Sequence, residues 1–267
     1  MSTEFHVLER VSPFRRMAAG MWRAPEDPTI HGSMDIDATE CLAFLEGREP
    51  KLTITHLVVR AVALALRDLP DLNVKVRYGG RIEQRGSVDV FVTVATDGNR
   101  DLSGVRLARA DAMSLDALAG ELRGRAKKIR GGEDASYEKS RSVFARLPWW
   151  LARPATKISD VLVNELHLDL ASQGLPVDPF GSAMITSVGM FGIDTAFAPL
   201  LPMARCPILI LVPEVRPRPW VVDGRVEVRP VLRLCASFDH RLIDGAAAGR
   251  LAKALTTRLA RPEVELA

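Results

Sequence analysis

One stretch of the chain, from Lys51 to Leu69, has the composition of a helix that is buried on every side. Almost every residue from Leu57 to Leu66 is apolar, and only Arg60 and Arg67 mark a polar seam. A helix that is apolar nearly all round lies inside a folded domain and not on its surface. Pro70 ends this helix, because proline lacks the amide hydrogen that a helix interior needs. The chain is therefore expected to fold around a buried helix.

Around this helix, the first half of the chain is rich in helical patterns and the second half in strand patterns. Strands, alternating or continuously apolar, are predicted at Thr29 to Ile36, Asn73 to Arg77, Val88 to Ala95, Ala183 to Val188, Cys206 to Val212 and Val231 to Phe238. Further helices are predicted at Ser12 to Arg23, after Asp37, at Ser114 to Arg130, at Tyr137 to Trp150, at Ile158 to Leu170 with Pro154 before it, and from Asp244 to Pro262. Asp223-Gly224, between two valine-rich runs, predicts a hairpin over 220–228. We expect one α+β domain in which helices line a sheet.

Composition excludes several classes of function. The net charge of the 267 residues is only +3, and no basic block interleaves with aromatic residues, so nucleic acid is not an expected partner. Cys41, Cys206 and Cys235 lie far apart and lack the spacing of a metal site, which is typical of a reduced cytoplasmic protein without disulfides or metal. No signal peptide and no membrane span are expected, because no apolar run reaches the required length.

The candidate for chemistry is His240, in the stretch Ser237 to Gly245. This stretch follows an alternating strand and leads into an alanine-rich helix, where exposed backbone donors favour negative charge. Such a fixed position suits a general base, but it also suits a buried histidine that caps a turn, and the local pattern does not separate the two. Asp244, four residues later, can orient the imidazole, cap the helix or pair with an arginine.

Other motifs give no competing site. The chain lacks a G-x-S-x-G elbow, a P-loop and a dinucleotide-binding glycine fingerprint. His6, His31, His56 and His167 stand alone, without the partners of a metal site, and are predicted to be structural or solvated. The aromatic cluster around Trp149 and Trp150 has a basic flank and can suggest a membrane-surface helix. Pro148 interrupts that pattern, so packing on the core or on another subunit is favoured.

The stretch Ser237 to Ala246 resembles the active-site segment of the acyltransferase component of 2-oxoacid dehydrogenase complexes. Its H-x-x-x-D-G core is shared with chloramphenicol acetyltransferase and, more loosely, with condensation domains of peptide synthetases. Further similarities follow in the family's order at Lys51 to Thr55 with the helix after it, Val88 to Thr96, Ile185 to Gly189 and Trp220 to Val228. The resemblance covers nearly the whole chain except about 135–180, which is expected to be a divergent or inserted helical region.

The resemblance implies a two-layer α/β sandwich of the chloramphenicol acetyltransferase-like type, a mixed sheet with flanking helices, that assembles as trimers or multiples of trimers. Each active site then lies between subunits. His240 becomes the general base, and the hydroxyl that stabilises the oxyanion falls at Thr186 of a neighbour, with Ser187 as the alternative. On a strand, Thr186 can equally reflect β-propensity. Asp244, followed by Gly245, becomes a structural residue of the site.

In the family this aspartate pairs with an arginine of the first helix, and Arg15 or Arg16 lies in the matching segment. The Asp244→Asn variant is accordingly expected to lose activity through distortion of the histidine loop.

The resemblance further implies that the substrate is an acyl-coenzyme A and that the chain is an acyltransferase. No lipoyl domain, covalent lipoyl group or subunit-binding domain is expected on this chain, and Gly98 to Leu102 departs from the family's glycine-leucine-valine-proline stretch. The acyl group and the acceptor, whether a lipoyl thiol, a small alcohol or an amine, are therefore left open. A non-catalytic oligomeric scaffold or acyl-CoA-binding protein of the same fold is the alternative hypothesis.

Overall fold

A computed structural model of the chain describes residues 27–96, 101–133, 148–171 and 176–266, with the single positions 12 and 98. The helices in these ranges are α1 (Thr39–Leu45), α2 (Ile54–Asp68), α3 (Leu115–Arg130), α4 (Trp149–Asp160), α5 (Gly245–Ala260) and α6 (Pro262–Glu265). The strands are β1 (Thr29–Asp37), β2 (Val74–Val76), β3 (Ile82–Gln84), β4 (Val90–Thr96), β5 (Asp101–Leu107), β6 (Ala183–Ser187), β7 (Ile208–Val212), β8 (Arg216–Val222) and β9 (Arg225–Asp239). None of these helices is both long enough and apolar enough to span a bilayer.

Seven of the described strands form one mixed sheet. Its order is β1-β9-β7-β6-β4-β5, and β8 pairs with the outer part of β9. The neighbours β4, β6 and β7 run parallel, whereas β1 and β7 run antiparallel to β9, and β5 runs antiparallel to β4. Strands β2 and β3 form a separate two-stranded ribbon. A mixed sheet with flanking helices is the predicted fold class, and the prediction is confirmed.

The predicted buried helix is α2. It contacts α1, α3 and α5 as well as β4 and β6, and its apolar side chains from Leu57 to Leu66 are almost completely buried. The guanidinium of Arg60, at the edge of this core, donates to the backbone oxygen of Asp111 at 2.9 Å. A second, smaller core on the opposite face of the sheet includes Met184 and Leu209. The apolar side chains of α2 are thus buried between helices on one side and the sheet on the other.

Several parts of the fold differ from the sequence predictions, and the short strand β3 is one that was not predicted. Strand β5 was not predicted, because Ser103, Gly104 and Arg106 interrupt its apolar pattern, and glycine is a weak strand former. The position of Gly104 has a packing reason: a Cβ atom there would lie 2.2 Å from ring atoms of Phe91.

The prediction of a helix break at Pro154 is also wrong. Helix α4 runs through Pro154 and continues as a π-helical turn over Val161–Glu165, so the helix predicted over Ile158 to Leu170 ends early. Pro154 removes the backbone hydrogen bond to the carbonyl four residues earlier and its ring crowds that carbonyl, so α4 continues through it at a local cost. Trp150 is 61% exposed, so it does not pack into the core of this chain. The helices predicted at Tyr137 to Trp150 and at Ser12 to Arg23 lie largely outside the described residues.

A buried ionic cluster anchors α4 to the rest of the domain. The Arg205 guanidinium lies 2.7 Å from the carboxylate of Asp160, and both side chains are less than a tenth exposed. The Tyr78 hydroxyl and the Asn164 amide also donate to Asp160, at 2.9 and 2.8 Å. These bonds outweigh the desolvation of the carboxylate and lower the pKa of Asp160. Residues 148–165 are thereby held against the β2–β3 ribbon and the start of β7.

Candidate active site

His240 is fixed where β9 ends. The amide of Asp239 donates to the Pro207 carbonyl at 3.0 Å, and the amide of His240 donates to the Pro28 carbonyl at 2.9 Å. The imidazole Nδ1 lies 3.1 Å from the carbonyl oxygen of Ile243. A carbonyl only accepts hydrogen bonds, so this contact places the proton on Nδ1 and leaves the lone pair on Nε2. The side chain is exposed. An oriented, accessible base is therefore present at this position.

Asp244 has the structural role of a helix cap. Its carboxylate accepts from the Ala247 amide at 2.8 Å and begins α5, as the sequence pattern predicted. Gly245 is the first helical residue, and a Cβ atom there would meet nothing within 4 Å. Arg15 and Arg16 lie outside the described residues, so their pairing with Asp244 stays a prediction.

The histidine loop has a second brace that the sequence analysis missed. The carboxylate of Asp239 accepts from the Arg241 backbone amide at 3.0 Å and from its guanidinium at 2.6 Å. The hydrogen bond to Asp239 raises the pKa of Arg241. The D-H-R order of the sequence contained this signal, because an aspartate two residues before an arginine can bond both its backbone and its side chain.

Thr186 and Ser187 lie at the end of β6. The hydroxyl of Thr186 accepts from the hydroxyl of Thr93 at 2.7 Å. Its own proton is then available to a further acceptor, and a hydroxyl that accepts one bond becomes a better donor. Both Thr186 and Ser187 line a cavity of about 740 Å³. The predicted hydroxyl residue thus faces a space that can hold a ligand.

This cavity forms where the sheet separates. Strands β4 and β6 pair only from Val90 to Val92, and beyond that point they diverge. Residues from both faces of β4 line the opening, Val92 and Val94 from the helix side and Thr93 and Ala95 from the other. Other lining residues come from the start of α2, from α3 and from the turn after β6, among them Thr53, His56, Arg123, Lys127, Arg130, Met190 and Phe191.

The cavity wall also contains basic residues of α3. They are Arg123, Lys127 and Arg130, and the last two lie in the final turn of α3, where positive charge also suits the helix C-terminus. Their spacing places all three on the face of α3 that lines the cavity. Helical periodicity identifies that shared face, but the sequence does not show what the face is opposite.

His56 is the buried histidine of the cavity wall. Its Nδ1 accepts from the Thr53 backbone amide at 3.0 Å, which completes a capping box at the start of α2. The proton of the neutral ring therefore lies on Nε2. Burial, with a smaller contribution from the charge of Arg123, lowers the pKa of His56 to about 4. The ring is thus a neutral structural cap at neutral pH.

Two of the remaining histidines have local partners, and His6 lies outside the described residues. Nδ1 of His31 lies 2.9 Å from the Ser237 hydroxyl, and Nε2 of His167 lies 3.3 Å from the Glu83 carboxylate. Among the described residues, no group of three or more histidine, cysteine, aspartate or glutamate side chains is placed to hold a metal ion.

His240 and Thr186 do not meet within one chain. Thr186 pairs with Leu211 of β7, which pairs with Cys235 of β9, so His240 lies five residues further along β9. At about 3.4 Å per residue and 4.8 Å per strand, the two residues are roughly 20 Å apart. Asp239 bonds the start of β7, whereas Thr186 lies near the ends of β6 and β7. We call these two ends of the sheet the histidine edge and the hydroxyl edge.

Comparisons with known proteins agree with this architecture. A family model for the catalytic domain of 2-oxoacid dehydrogenase acyltransferases matches residues 7–145 and 180–267. A lipoamide acyltransferase component of the branched-chain alpha-keto acid dehydrogenase complex of Pseudomonas putida is 29% identical over 79% of this chain and 40% of its own length. The acetyltransferase component of the acetoin cleaving system of Bacillus subtilis is 30% identical over 79% of this chain and 42% of its own length. The chain therefore spans less than half the length of these relatives.

Solved structures show the same fold. The dihydrolipoamide acetyltransferase of Azotobacter vinelandii, studied for the catalytic role of one serine, one histidine and one asparagine, has a TM-score of 0.66 at 26% identity, covering 91% of this chain and 85% of that one. The cubic core of a pyruvate dehydrogenase multienzyme complex gives 0.67 at 25% identity, covering 98% and 96%. The predicted resemblance is confirmed: the chain belongs to the family of 2-oxoacid dehydrogenase acyltransferase catalytic domains.

Proposed function

We propose that the chain catalyses acyl transfer between coenzyme A and an acceptor thiol or hydroxyl, with His240 as general base. The observation that carries this proposal is the imidazole tautomer set by the Ile243 carbonyl, which leaves Nε2 as an exposed acceptor. Nε2 removes the acceptor proton as the sulfur or oxygen attacks the thioester carbonyl. The tetrahedral intermediate then expels the coenzyme A sulfur, which takes that proton back from the imidazolium.

The hydroxyl of Thr186 is proposed to stabilise the intermediate. Its proton, freed by the bond from Thr93, donates to the developing oxyanion, where charge is greater than on the ground-state carbonyl. Ser187 lines the same cavity and is the alternative donor.

The complete site is proposed to form between two subunits of a homotrimer or a larger assembly. A base and an oxyanion donor must both reach one thioester carbon, which the separation of roughly 20 Å within a chain prevents. Large apolar side chains remain exposed around the hydroxyl edge, including Met190 at 63% and Phe191 at 49%. Exposed apolar surface of this kind marks an interaction site. A neighbouring subunit that covers this surface would place its His240 beside Thr186.

Coenzyme A is proposed to occupy the cavity beside Thr186. The cavity has a volume of about 740 Å³, within the range of small-molecule sites. Arg123, Lys127 and Arg130 supply positive charge for phosphate groups. The residues present therefore fit an anionic ligand that has an acyl thioester at its other end.

Mixing two inactive variants tests the shared site. His240→Ala and Thr186→Val are each expected to lose most thioester-dependent activity, measured as thiol release from acyl-CoA with a panel of thiol, alcohol and amine acceptors. After co-refolding in equal amounts, about a quarter of the interfaces pair an intact His240 with an intact Thr186, because two independent halves combine at random around a symmetric ring. About a quarter of wild-type activity should return.

Two controls decide the outcome. Refolded single variants must stay inactive, and refolded wild type must regain its activity. Absence of any recovery in a mixture that forms the same oligomers would refute a site shared between subunits. Undiminished activity of His240→Ala would refute the general base.

A further inference from the structure

A second cavity, of about 660 Å³, is lined by residues other than His240 and Thr186. It is bounded by the β2–β3 ribbon, the start of β4, the end of β5, and residues around His167 and Asp178. Strand β4 is three strands away from β9, which carries His240, and the cavity lies at the end of the sheet opposite to Thr186. No residue lines both cavities. The two cavities are therefore built from separate sets of residues.

Every carboxylate that lines this second cavity already pairs with an arginine. Asp178 accepts from Arg85 at 2.6 and 3.0 Å, and Asp89 accepts from Arg106 at 2.9 Å. Glu83 accepts at 2.7 Å from Arg77, which does not line the cavity. Arg85 also donates to the backbone carbonyl of Arg205, and Arg106 donates to that of Val177, each at 3.0 Å. These groups hold the walls together and leave no carboxylate free to bind a cation.

Two cations of the cavity remain without a close ion pair. Lys75 is 6% exposed, and its Nζ lies 3.3 Å from His167 Nε2 and 3.9 Å from the nearer oxygen of Glu83. A lysine ammonium has three donors, so this buried group can make further hydrogen bonds into the cavity. The exposed guanidinium of Arg81 makes no hydrogen bond or ion pair with any other residue that the structure describes.

We propose that this cavity binds the anionic group, a carboxylate or a phosphate, of a small molecule, held by Lys75 and Arg81. A buried ammonium is stable when an anion and hydrogen bonds compensate its lost hydration, and a guanidinium binds either anion through two parallel bonds. Desolvation by burial lowers the pKa of Lys75, and an anion beside Nζ opposes that shift. His167, Val177 and Asp178 belong to the part of the chain that the family model does not match.

Titration calorimetry with the full chain tests the proposal. Sodium phosphate and sodium malonate are titrated separately in Tris buffer at low ionic strength. At least one of them should bind the wild type, and the preferred anion distinguishes a phosphate ligand from a carboxylate ligand. Lys75→Met and Arg81→Met should each weaken binding about tenfold, the loss that corresponds to one charge-assisted hydrogen bond. Arg225→Met is the matched control, an exposed arginine in the β8–β9 hairpin.

The possible results separate clearly. Arg81 is exposed, so its replacement tests the site without disturbing the core, and circular dichroism checks the fold of the Lys75 variant. Binding that falls in both cavity variants and is unchanged in Arg225→Met supports the site. No binding of either anion to the wild type at tens of millimolar, or equal weakening in Arg225→Met, overturns it. Neither result depends on acyl transfer, so the two proposals fail separately.

Discussion

Lowering the pH from 6.5 toward 4 should destabilise the fold through His56. The ring is 5% exposed and its pKa is lowered from 6.5 to about 4, first by burial and then by the charge of Arg123. Between these two values the unfolded chain binds a proton that the folded chain does not, so stability falls as pH falls. The contribution is fully present above pH 6.5. At pH 5 about 2 kcal/mol of it is lost, and below pH 4 about 3 kcal/mol.

Titration of carboxylates does not overlap with the pH range in which His56 reduces stability. Burial opposes ionisation of Asp178, but its bonds with Arg85 outweigh that effect and lower the pKa of Asp178. The pKa of Glu165 is lowered for a similar reason, since bonds from the Tyr78 amide and the Arg77 side chain outweigh desolvation. The stability that these groups supply is therefore retained until the pH approaches 4, below the range in which His56 titrates.

Urea unfolding of wild type and His56→Gln at pH 7.5, 6.5, 5.5 and 5.0 measures the effect. The glutamine oxygen can accept the Thr53 amide bond but does not titrate. The unfolding free energy of the wild type should decrease by about 2 kcal/mol more than that of the variant between pH 7.5 and 5.0. If both proteins lose stability in parallel, His56 is not the group responsible, and the argument from its burial is wrong.

Substitutions at four further positions follow from the geometry. Asp244→Asn keeps a capping oxygen and should unfold within about 0.5 kcal/mol of wild type, while activity falls if the charge pairs with Arg15 or Arg16; full activity would refute that brace. Gly189→Ala should destabilise the protein by more than about 2 kcal/mol in thermal unfolding, because its Cβ would lie 2.7 Å from the Glu214 amide nitrogen. Gly245→Ala should be neutral or stabilise by about 0.4–1 kcal/mol, since nothing lies within 4 Å, and a marked loss of stability would contradict this. Thr186→Ser should retain thiol release, whereas Thr186→Val should lose about 10²–10³-fold; equal rates would remove Thr186 from the mechanism.

Local patterns predicted the fold wherever one element carried its own signal. The apolar helix α2, the Ser114 cap of α3 and the hairpin at Asp223-Gly224 needed no tertiary information, because periodicity, capping and turn chemistry act within a few residues. Strand β5 and the continuation of α4 through Pro154 depended on tertiary partners. There, packing against Phe91 and the bonds at Asp160 outweigh unfavourable local propensity.

The site was predictable in its residues but not in its arrangement. The stretch around His240 and the end of β6 identified a base and a hydroxyl, yet no sequence pattern gives their separation. The order of the strands in the sheet gives this separation, because β7 and β6 lie between β9 and the cavity. The cavity itself was missed, since its walls come from α2, α3 and two diverging strands that lie far apart in sequence.

The Asp160–Arg205 cluster limits how this domain can be redesigned. Helix α4 lies within the part that the family model does not match, so its removal would be a natural way to make a shorter chain. Excision of α4 together with the π-helical turn would leave the Arg205 guanidinium, 9% exposed, without the carboxylates of both Asp160 and Glu165. A buried cation that loses its partner typically destabilises a protein by about 3–5 kcal/mol. A trimmed or chimeric version should therefore replace Arg205 with an apolar residue in the same step, because the helix and the arginine depend on each other.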